Sequence, residues 1–440
     1  MKMLKPLKAA ACGALVVALG GLLGGTAQAQ NLNRCAWPLT LSPNGSGNFL
    51  APDDGARYWV MPFEKTYRTM RIQGRSPSAR YFSFVAYSGD AAGRPIETTG
   101  ALFDGSIVPE SGGPNPAYSV LVSRDPAVSG RTNGLAVGLN DAWVVLRIYA
   151  PAPDPTLSGR VASGSVPLPT VTLDDGPPLT QCPPPSPVDG NTWHPVRSVN
   201  KLDDLRAFLG LMFPPGFDIR QPTDFEQVSN ARVWFAPPRV PPILLFPNPH
   251  NKYILTTPGP YQPGRVLVIR ARAPSVADRG HPGRSSAPMA DLRYWSMCNN
   301  DFALPIAVVR CVSDQNVVLE GGHFTVVISD DLGRPSWLRP GINWLPWGDE
   351  QYPKLIFFRH LLAADSFPYS IQQVVRGCPA SCLNNDAVFD FTLPDLPRRA
   401  LIDAAGPAVQ RVMGEYYPVA AWCDKAVFER GGWQACLRRS

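Results

Sequence analysis

The sequence contains two copies of one ordered set of short segments, and this internal duplication constrains the fold more than any other feature. Five segments of the first half recur in the same order in the second half: 52–58 and 247–253, 71–78 and 268–275, 80–83 and 293–296, 118–123 and 324–329, and 145–149 and 357–361. Five matches in one order are hard to obtain by chance. The chain is therefore predicted to build one structural unit twice.

The repeated segments have the pattern of β-strands. Val120 and Val122, and again Val326 and Ile328, place branched residues at every second position, as in half-buried strands. The chain has 49 prolines and 38 glycines in 440 residues, and internal proline rules out a coiled coil or a helical repeat. We predict a mostly β fold with two tandem jelly-roll-like β-sandwich units, which arise from the duplication, and a few short helices.

The matched segments and the composition suggest five parts of the chain. Residues 30–182 are predicted to form the first sandwich and residues 241–375 the second. Residues 183–240 combine a proline-rich connector with a helix. Residues 376–440 are predicted to form a C-terminal segment pinned by a disulfide, with a helix that Gly406-Pro407 should interrupt.

The first 29 residues have the pattern of a secretory signal peptide. Lys2, Lys5 and Lys8 precede an apolar stretch, and Ala27-Gln28-Ala29 is a small-x-small cleavage site. The alternative is an uncleaved membrane anchor. Cleavage lowers the net charge from +6 to +3, because the segment carries three lysines and no acidic residue. We expect a periplasmic or extracellular protein that binds no nucleic acid and has no membrane span after cleavage.

Eight of the nine cysteines follow this segment, and an even number in an exported chain favours disulfides. Eight cysteines allow 105 connectivities. Proximity in sequence favours three pairs and leaves a fourth: Cys298–Cys311, Cys378–Cys382, Cys423–Cys436 and Cys35–Cys182. The alternative is a metal–thiolate site, but the sequence has no Cys-x-x-Cys, and we predict neither a metal nor a cofactor.

Two motifs of the second copy resemble a known pair of bacterial families. Arg293-Tyr294-Trp295-Ser296 and Asn343-Trp344-Leu345-Pro346 are similar to motifs of the domain-of-unknown-function families 1254 and 1214, which occur in tandem. The first copy keeps Arg80-Tyr81-Phe82-Ser83, but no Asn-Trp-Leu-Pro follows it. The resemblance implies β-sandwiches in an exported protein, and it implies no defined biochemical activity.

The sequence has no familiar catalytic signature. It lacks a Gly-x-Ser-x-Gly elbow and a His-Glu-x-x-His zinc motif. The five histidines are scattered, and we interpret them as surface or structural residues. The adjacent carboxylates, such as Asp53-Asp54, are interpreted as turn residues.

Four residues at equivalent positions of the two copies are candidates for ligand contacts. Arg80 and Arg293 precede corresponding strands, and a guanidinium group can bind a carboxylate or phosphate with two hydrogen bonds. The alternative is a structural ion pair that the duplicated fold repeats. Tyr58 and Tyr253 have the same two interpretations, as ligand contacts or as core tyrosines.

A tryptophan-rich loop is the other candidate site. Trp337, Trp344 and Trp347 lie in a segment rich in proline and glycine, close to Asn343. Exposed indoles could form a stacking platform for a sugar ring or an apolar ligand. The alternative is that the indoles plug the open end of a sandwich.

These features favour an exported binding or envelope-associated protein. Its ligand would be a polysaccharide or another small or polymeric molecule, held at the tryptophan loop or in the cleft between the copies. The alternative is a secreted hydrolase or lyase that acts on an extracellular polymer or ester, and a third hypothesis is a structural surface protein. An enzyme requires a histidine or carboxylate with a perturbed pKa beside Arg80 or Arg293. A binding platform requires exposed, coplanar indoles.

Overall fold

The computed structural model describes most of the chain after the predicted signal peptide. The described residues are 35–43, 47–48, 50–90, 95–152, 163–182, 232–238, 246–276, 290–302, 306–377 and 395–437. The predicted signal peptide, the predicted connector helix and the Cys378–Cys382 pair lie outside them.

The described residues form a mostly β fold, as the sequence predicts. The strands of the first half are β1 Leu39–Leu41, β2 Ala56–Phe63, β3 Thr69–Arg75, β4 Ala79–Gly89, β5 Pro95–Phe103, β6 Ala117–Ser123, β7 Gly134–Ala136, β8 Ala142–Pro151 and β9 Thr170–Leu173. Those of the second half are β10 Arg232–Val233, β11 Asn251–Thr256, β12 Arg265–Arg272, β13 Leu292–Asp301, β14 Val308–Ser313, β15 His323–Ser329, β16 Asn343–Pro346, β17 Lys354–Ala363 and β18 Val419–Asp424.

The strands form four sheets, and the order of the second pair repeats that of the first. The first repeat has an inner sheet β1-β2-β8-β4-β5 and an outer sheet β7-β6-β3-β9. The second has an inner sheet β11-β17-β13-β14 and an outer sheet β10-β18-β12-β15-β16. Apart from β1 and β10, each strand of the first repeat has a counterpart at the same position in the sheets of the second repeat. The counterparts β6–β7 and β15–β16 are both parallel pairs. β18, from the predicted C-terminal segment, completes the second outer sheet.

Successive side chains of the inner strands point to opposite faces of the sheet. One face packs in the core of its own repeat, and the other face contacts the other repeat. In β4, Phe82 and Phe84 join Val120 and Val122 of the outer sheet in the core of the first repeat. Tyr81 lies on the opposite face of β4 and contacts the second repeat. This period of two leaves polar and aromatic side chains of each inner sheet facing its counterpart.

Three disulfides join the cysteine pairs Cys35–Cys182, Cys298–Cys311 and Cys423–Cys436. These are three of the four pairs that the sequence predicts. The first closes the first repeat, the second joins the neighbouring strands β13 and β14, and the third ties β18 to the helix that follows it.

The described helices are α1 Ile371–Gly377, α2 Asp395–Met413 and α3 Lys425–Leu437. Helix α2 continues through Pro407, so the predicted interruption is wrong. Gly406 lies against the indole of Trp234, where an added Cβ would come within 2.7 Å of the ring, so this packing supports the helix at its weakest point. Among the helices of the described residues, none combines the length and apolar character needed to cross a bilayer.

His360 of β17 is a buried histidine that connects the inner sheet to α1. Its Nδ1 accepts a hydrogen bond from the backbone N–H of Ile371 at 3.2 Å, and its ring contacts Phe358. Burial disfavours the charged imidazolium and lowers the pKa of His360 to about 3. His360 is therefore neutral in the folded protein at neutral pH.

Protonation of His360 makes the stability depend on pH. Its pKa is about 3 in the folded protein and near 6.5 in an unfolded chain. The free energy of unfolding should therefore fall as the pH drops from about 6.5 towards 3, by up to about 1.4 kcal/mol per pH unit. His360→Asn keeps an acceptor for Ile371 and removes the titration, so urea unfolding should show a flatter pH dependence. Equal slopes for the two proteins would contradict this account.

Candidate functional site

Arg80 and Arg293 connect the two repeats through equivalent ion pairs. Arg80 of β4 pairs with Asp314, which follows β14, and both side chains are buried. Arg293 of β13 pairs with Asp104, which follows β5, at 2.5 Å. Each arginine therefore binds a carboxylate of the other repeat, which is the structural alternative of the prediction and not a contact with a ligand.

Tyr81 and Tyr294 make a second pair of equivalent contacts across the repeats. The hydroxyl of Tyr294 donates to Asp53 Oδ1 at 2.7 Å, and that of Tyr81 donates to Asn248 Oδ1 at 3.3 Å. Asp53 and Asn248 occupy the same position in the two copies. Equivalent residues of the two repeats therefore make equivalent hydrogen bonds across the interface between the inner sheets.

Arg147 of β8 and Arg359 of β17 form the third pair. Arg359 Nη2 donates to the carbonyl of Ala51 at 2.8 Å, and Arg147 Nη2 donates to the carbonyl of Phe246. Ala51 and Phe246 are equivalent, and both have left-handed backbone, with φ of 52° and 46°. This conformation costs of order 1–3 kcal/mol for a non-glycine residue. Both repeats therefore hold a strained loop against a buried arginine.

These two arginines lie in a cavity of about 60 Å³ between the repeats, which we call the inter-repeat cavity. Three tyrosines also line it, namely Tyr58, Tyr149 and Tyr253. The other described lining residues are leucine, alanine, proline and phenylalanine. The cavity is thus an apolar space with two cationic groups and a few hydroxyl groups.

The two arginines of the cavity differ in their charge partners. Arg359 Nη1 lies 3.3 Å from Asp53 Oδ2. Arg147 is 3% exposed, and no carboxylate among the described residues pairs with it. Arg147 Nη2 donates to the hydroxyl of Tyr87 at 2.8 Å, whereas its Nη1 is buried without a hydrogen-bond partner. The cavity therefore carries one uncompensated positive charge.

The tyrosines do not supply the missing negative charge. Burial raises the pKa of Tyr58, Tyr149 and Tyr253, and it raises the pKa of Tyr87 to about 12. All four are therefore neutral at physiological pH. The hydroxyl oxygens of Tyr58 and Tyr149 lie 3.1 Å apart, and both residues line the cavity. Within the described ranges of the chain, no negatively charged group neutralises Arg147.

A group of possible metal donors lies near the cavity, but its chemistry does not suit a metal. Asp53, Cys298 and Cys311 place three donor atoms within 4.8 Å of one another. The two sulfur atoms are joined in a disulfide, and Asp53 is paired with Arg359. A disulfide offers no thiolate, so this group has a structural role.

A larger concavity of about 630 Å³ lies on the surface of the first repeat. Lys65, Arg68 and Arg131 on its rim are exposed. The guanidinium group of Arg124 is already bonded to backbone carbonyls, including those of Tyr67 and Asn140. Its charges are solvated or engaged, so this concavity is a weaker candidate than the inter-repeat cavity.

The structure does not form the predicted tryptophan platform. Trp347 is 1% exposed and packs against Trp422, with the ring centroids 5.4 Å apart. Trp337 packs edge-on against Phe428, and the ammonium group of Lys425 lies 4.6 Å from its ring centroid. Trp347 is thus buried and Trp337 is partly buried beside α3, so the two indoles do not form one exposed platform.

Asn343 is also a structural residue. Its side chain accepts a hydrogen bond from the backbone N–H of Val318 and donates to the carbonyl of the same residue. Asn133 makes the same two bonds with Val108 in the first repeat. The duplicated pair of bonds shows that Asn343 fixes a loop to the outer sheet, so both ends of its side-chain amide are engaged within the protein.

Of the predicted ligand residues, the structure brings only Tyr58 and Tyr253 together in the cavity. Arg147 and Arg359 were not among the residues predicted from the sequence. Their signal was present, because they occupy equivalent positions in the aligned segments 145–149 and 357–361, and each is a charged residue within an apolar strand. A charge at such a position requires a partner across the inner face.

Comparisons with known proteins give a distant structural similarity. No family model and no curated protein matches the chain. A crystal structure of an uncharacterised protein from Burkholderia cenocepacia is similar, with a TM-score of 0.44 and 16% identity over 74% of this chain and 78% of that one. The VPA0106 protein from Vibrio parahaemolyticus has a TM-score of 0.36 and 13% identity over 72% of this chain and 86% of that one. Such distant similarities carry no functional argument, and membership of families 1254 and 1214 stays a hypothesis.

The ion pairs between the repeats should differ in their contributions to stability. Asp314→Asn leaves the buried Arg80 without its carboxylate and should lower the free energy of unfolding by about 3–5 kcal/mol. Asp104→Asn should cost less, because the Arg293 side chain is 26% exposed and water can solvate it. Urea unfolding of both variants measures the difference. Equal losses would show that burial does not decide the energy of these pairs.

Proposed function

We propose that the protein is an exported binding protein that holds a small anion in the inter-repeat cavity. The observation that carries the proposal is the buried Arg147, whose charge has no carboxylate partner among the described residues. Burial of an unpaired charge costs several kcal/mol. An anion at Arg147 removes this cost, so the folded protein favours the bound state.

The chemistry of the cavity suits a carboxylate. A guanidinium group presents its N–H donors in a planar fork that matches the two oxygens of a carboxylate. Arg147 Nη1 is the donor without a partner, and Tyr58, Tyr149 and Tyr253 also line the cavity. The apolar lining suits a short hydrocarbon group attached to the carboxylate.

Two observations favour a small ligand over a polysaccharide, and binding over catalysis. The cavity of about 60 Å³ has room for only a few non-hydrogen atoms, and the tryptophans form no platform for a sugar. The described lining residues are arginine, tyrosine and apolar residues, a set that binds an anion without offering a nucleophile or a carboxylate base. The carboxylate beside Arg293, Asp104, is not among them, although burial raises its pKa.

Export is part of the proposal. The signal-peptide pattern of residues 1–29 supports it, and so do the three disulfides, which persist in oxidising compartments. A periplasmic or extracellular location would expose the cavity to small organic acids from the surroundings of the cell.

Small carboxylates should stabilise the protein through Arg147. A carboxylate at 100 times its Kd should raise the free energy of unfolding by ~2.7 kcal/mol. Thermal unfolding at constant ionic strength should therefore show a higher Tm in sodium acetate or propionate than in sodium chloride. Arg147→Met keeps an unbranched side chain but removes the charge and its donors, so its Tm should not respond to carboxylates.

Arg124→Met is the matched control, because Arg124 is bonded to backbone carbonyls outside the cavity. This variant should keep the carboxylate response even if its Tm in chloride is lower. An equal response of the wild-type protein and Arg147→Met would contradict the proposed function.

A further inference from the structure

The two repeats differ at one position that decides the charge of the inter-repeat cavity. Asp53 and Asn248 are equivalent, and their local bonds are the same. Asp53 Oδ1 accepts from the backbone N–H of Gly55 at 2.9 Å, and Asn248 Oδ1 accepts from that of His250 at 3.1 Å. Each also accepts from the tyrosine hydroxyl of the opposite repeat, Tyr294 or Tyr81. The two side chains are thus held in the same way.

The two side chains differ in their second terminal atom, which is Oδ2 in Asp53 and Nδ2 in Asn248. Asp53 Oδ2 lies 3.3 Å from Arg359 Nη1 and neutralises that guanidinium group. The equivalent side chain in the other copy is an amide, and Asn248 Nδ2 donates to the hydroxyl of Tyr81 at 3.1 Å. An amide N–H₂ group cannot accept a hydrogen bond from a guanidinium group. Arg147, the equivalent of Arg359, has no hydrogen-bond partner at Nη1.

We propose that Asn248 leaves the guanidinium group of Arg147 available to a ligand. This ligand is a short-chain monocarboxylate, bound once per chain. The inference rests on the proposed function and names the class of ligand for the same cavity. Asn248 acts as a specificity-determining residue, because a carboxylate at this position would occupy the free donors of Arg147 from within the protein.

The charges in and beside the cavity favour a ligand with a single negative charge. The cavity contains two guanidinium groups, Arg147 and Arg359, and one adjacent carboxylate, Asp53. One bound carboxylate balances these charges. A dianion such as sulfate, hydrogen phosphate or a dicarboxylate would leave an uncompensated negative charge in a buried space, which is unfavourable. A neutral ligand would leave Arg147 unpaired.

The volume selects a short chain. A water molecule requires about 10–15 Å³ of cavity volume, so 60 Å³ accommodates roughly four to six water-sized groups. Acetate and propionate match this size, whereas an aromatic acid such as benzoate exceeds it. Phe246 and Phe357 provide apolar contacts for the methyl or ethyl group.

Asn248→Asp tests the role of this position. The new carboxylate should pair with Arg147 as Asp53 pairs with Arg359, so the Tm without ligand should rise. Isothermal titration with acetate and propionate should show affinity at least about tenfold weaker than that of the wild-type protein. Asn316→Asp is the matched control, because it adds the same charge at an exposed position outside the cavity, and it should bind like the wild type.

Asp53→Asn tests the same charge argument by removing a negative charge, whereas Asn248→Asp adds one. This variant leaves both guanidinium groups without a carboxylate, so its preference should shift at least about tenfold from acetate towards sulfate, a dianion that matches the size of the cavity. Asp53 also bonds Tyr294 and Ser296. If the variant fails to fold, the titrations of Asn248→Asp decide the inference alone.

The outcomes separate this inference from the proposed function. If the wild-type protein binds no anion, the proposed function fails, and the inference fails with it. If the wild type binds acetate and Asn248→Asp binds it equally well, only the role of Asn248 is overturned. If the wild type binds sulfate, malonate or benzoate more tightly than acetate and propionate, the cavity binds anions but the proposed ligand class is wrong.

Discussion

The structure depends on arginines that each repeat places on its inner face and that the other repeat must accommodate. Arg80 and Arg147 come from the first repeat, and Arg293 and Arg359 are their equivalents in the second. Buried guanidinium groups are costly without hydrogen bonds and counter-charges. Each repeat supplies acceptors to the arginines of the other, so the duplicated sheets stabilise each other.

The duplication also accounts for the position of the proposed binding site at this interface. Three of the four arginines have a carboxylate partner, namely Asp314 for Arg80, Asp104 for Arg293 and Asp53 for Arg359. Symmetry would give Arg147 a carboxylate at position 248, where the chain has asparagine. In the proposed account, asparagine at this position leaves Arg147 without the ion pair that Arg359 makes, while the other three arginines keep their carboxylate partners.

The sequence predicts much of the fold because strand patterns, turns and repeats are local signals. The aligned segments fall on corresponding strands, and cysteines close in sequence identify two of the disulfides. The burial of Trp347 could not be predicted from the loop sequence, because the residue that covers it, Trp422, comes from far along the chain. That Arg147 has no carboxylate partner among the described residues is likewise a long-range property. It becomes visible only when the two inner sheets are placed face to face.

The central claim is that the free donor of Arg147 binds a carboxylate. A crystal structure of the wild-type protein grown with propionate tests it most directly. The account predicts density for one propionate in the inter-repeat cavity, with a carboxylate oxygen about 2.7–2.9 Å from Arg147 Nη1 and the ethyl group against Phe246 and Phe357. A cavity without propionate, or Arg147 paired with a carboxylate of the protein itself, would contradict it.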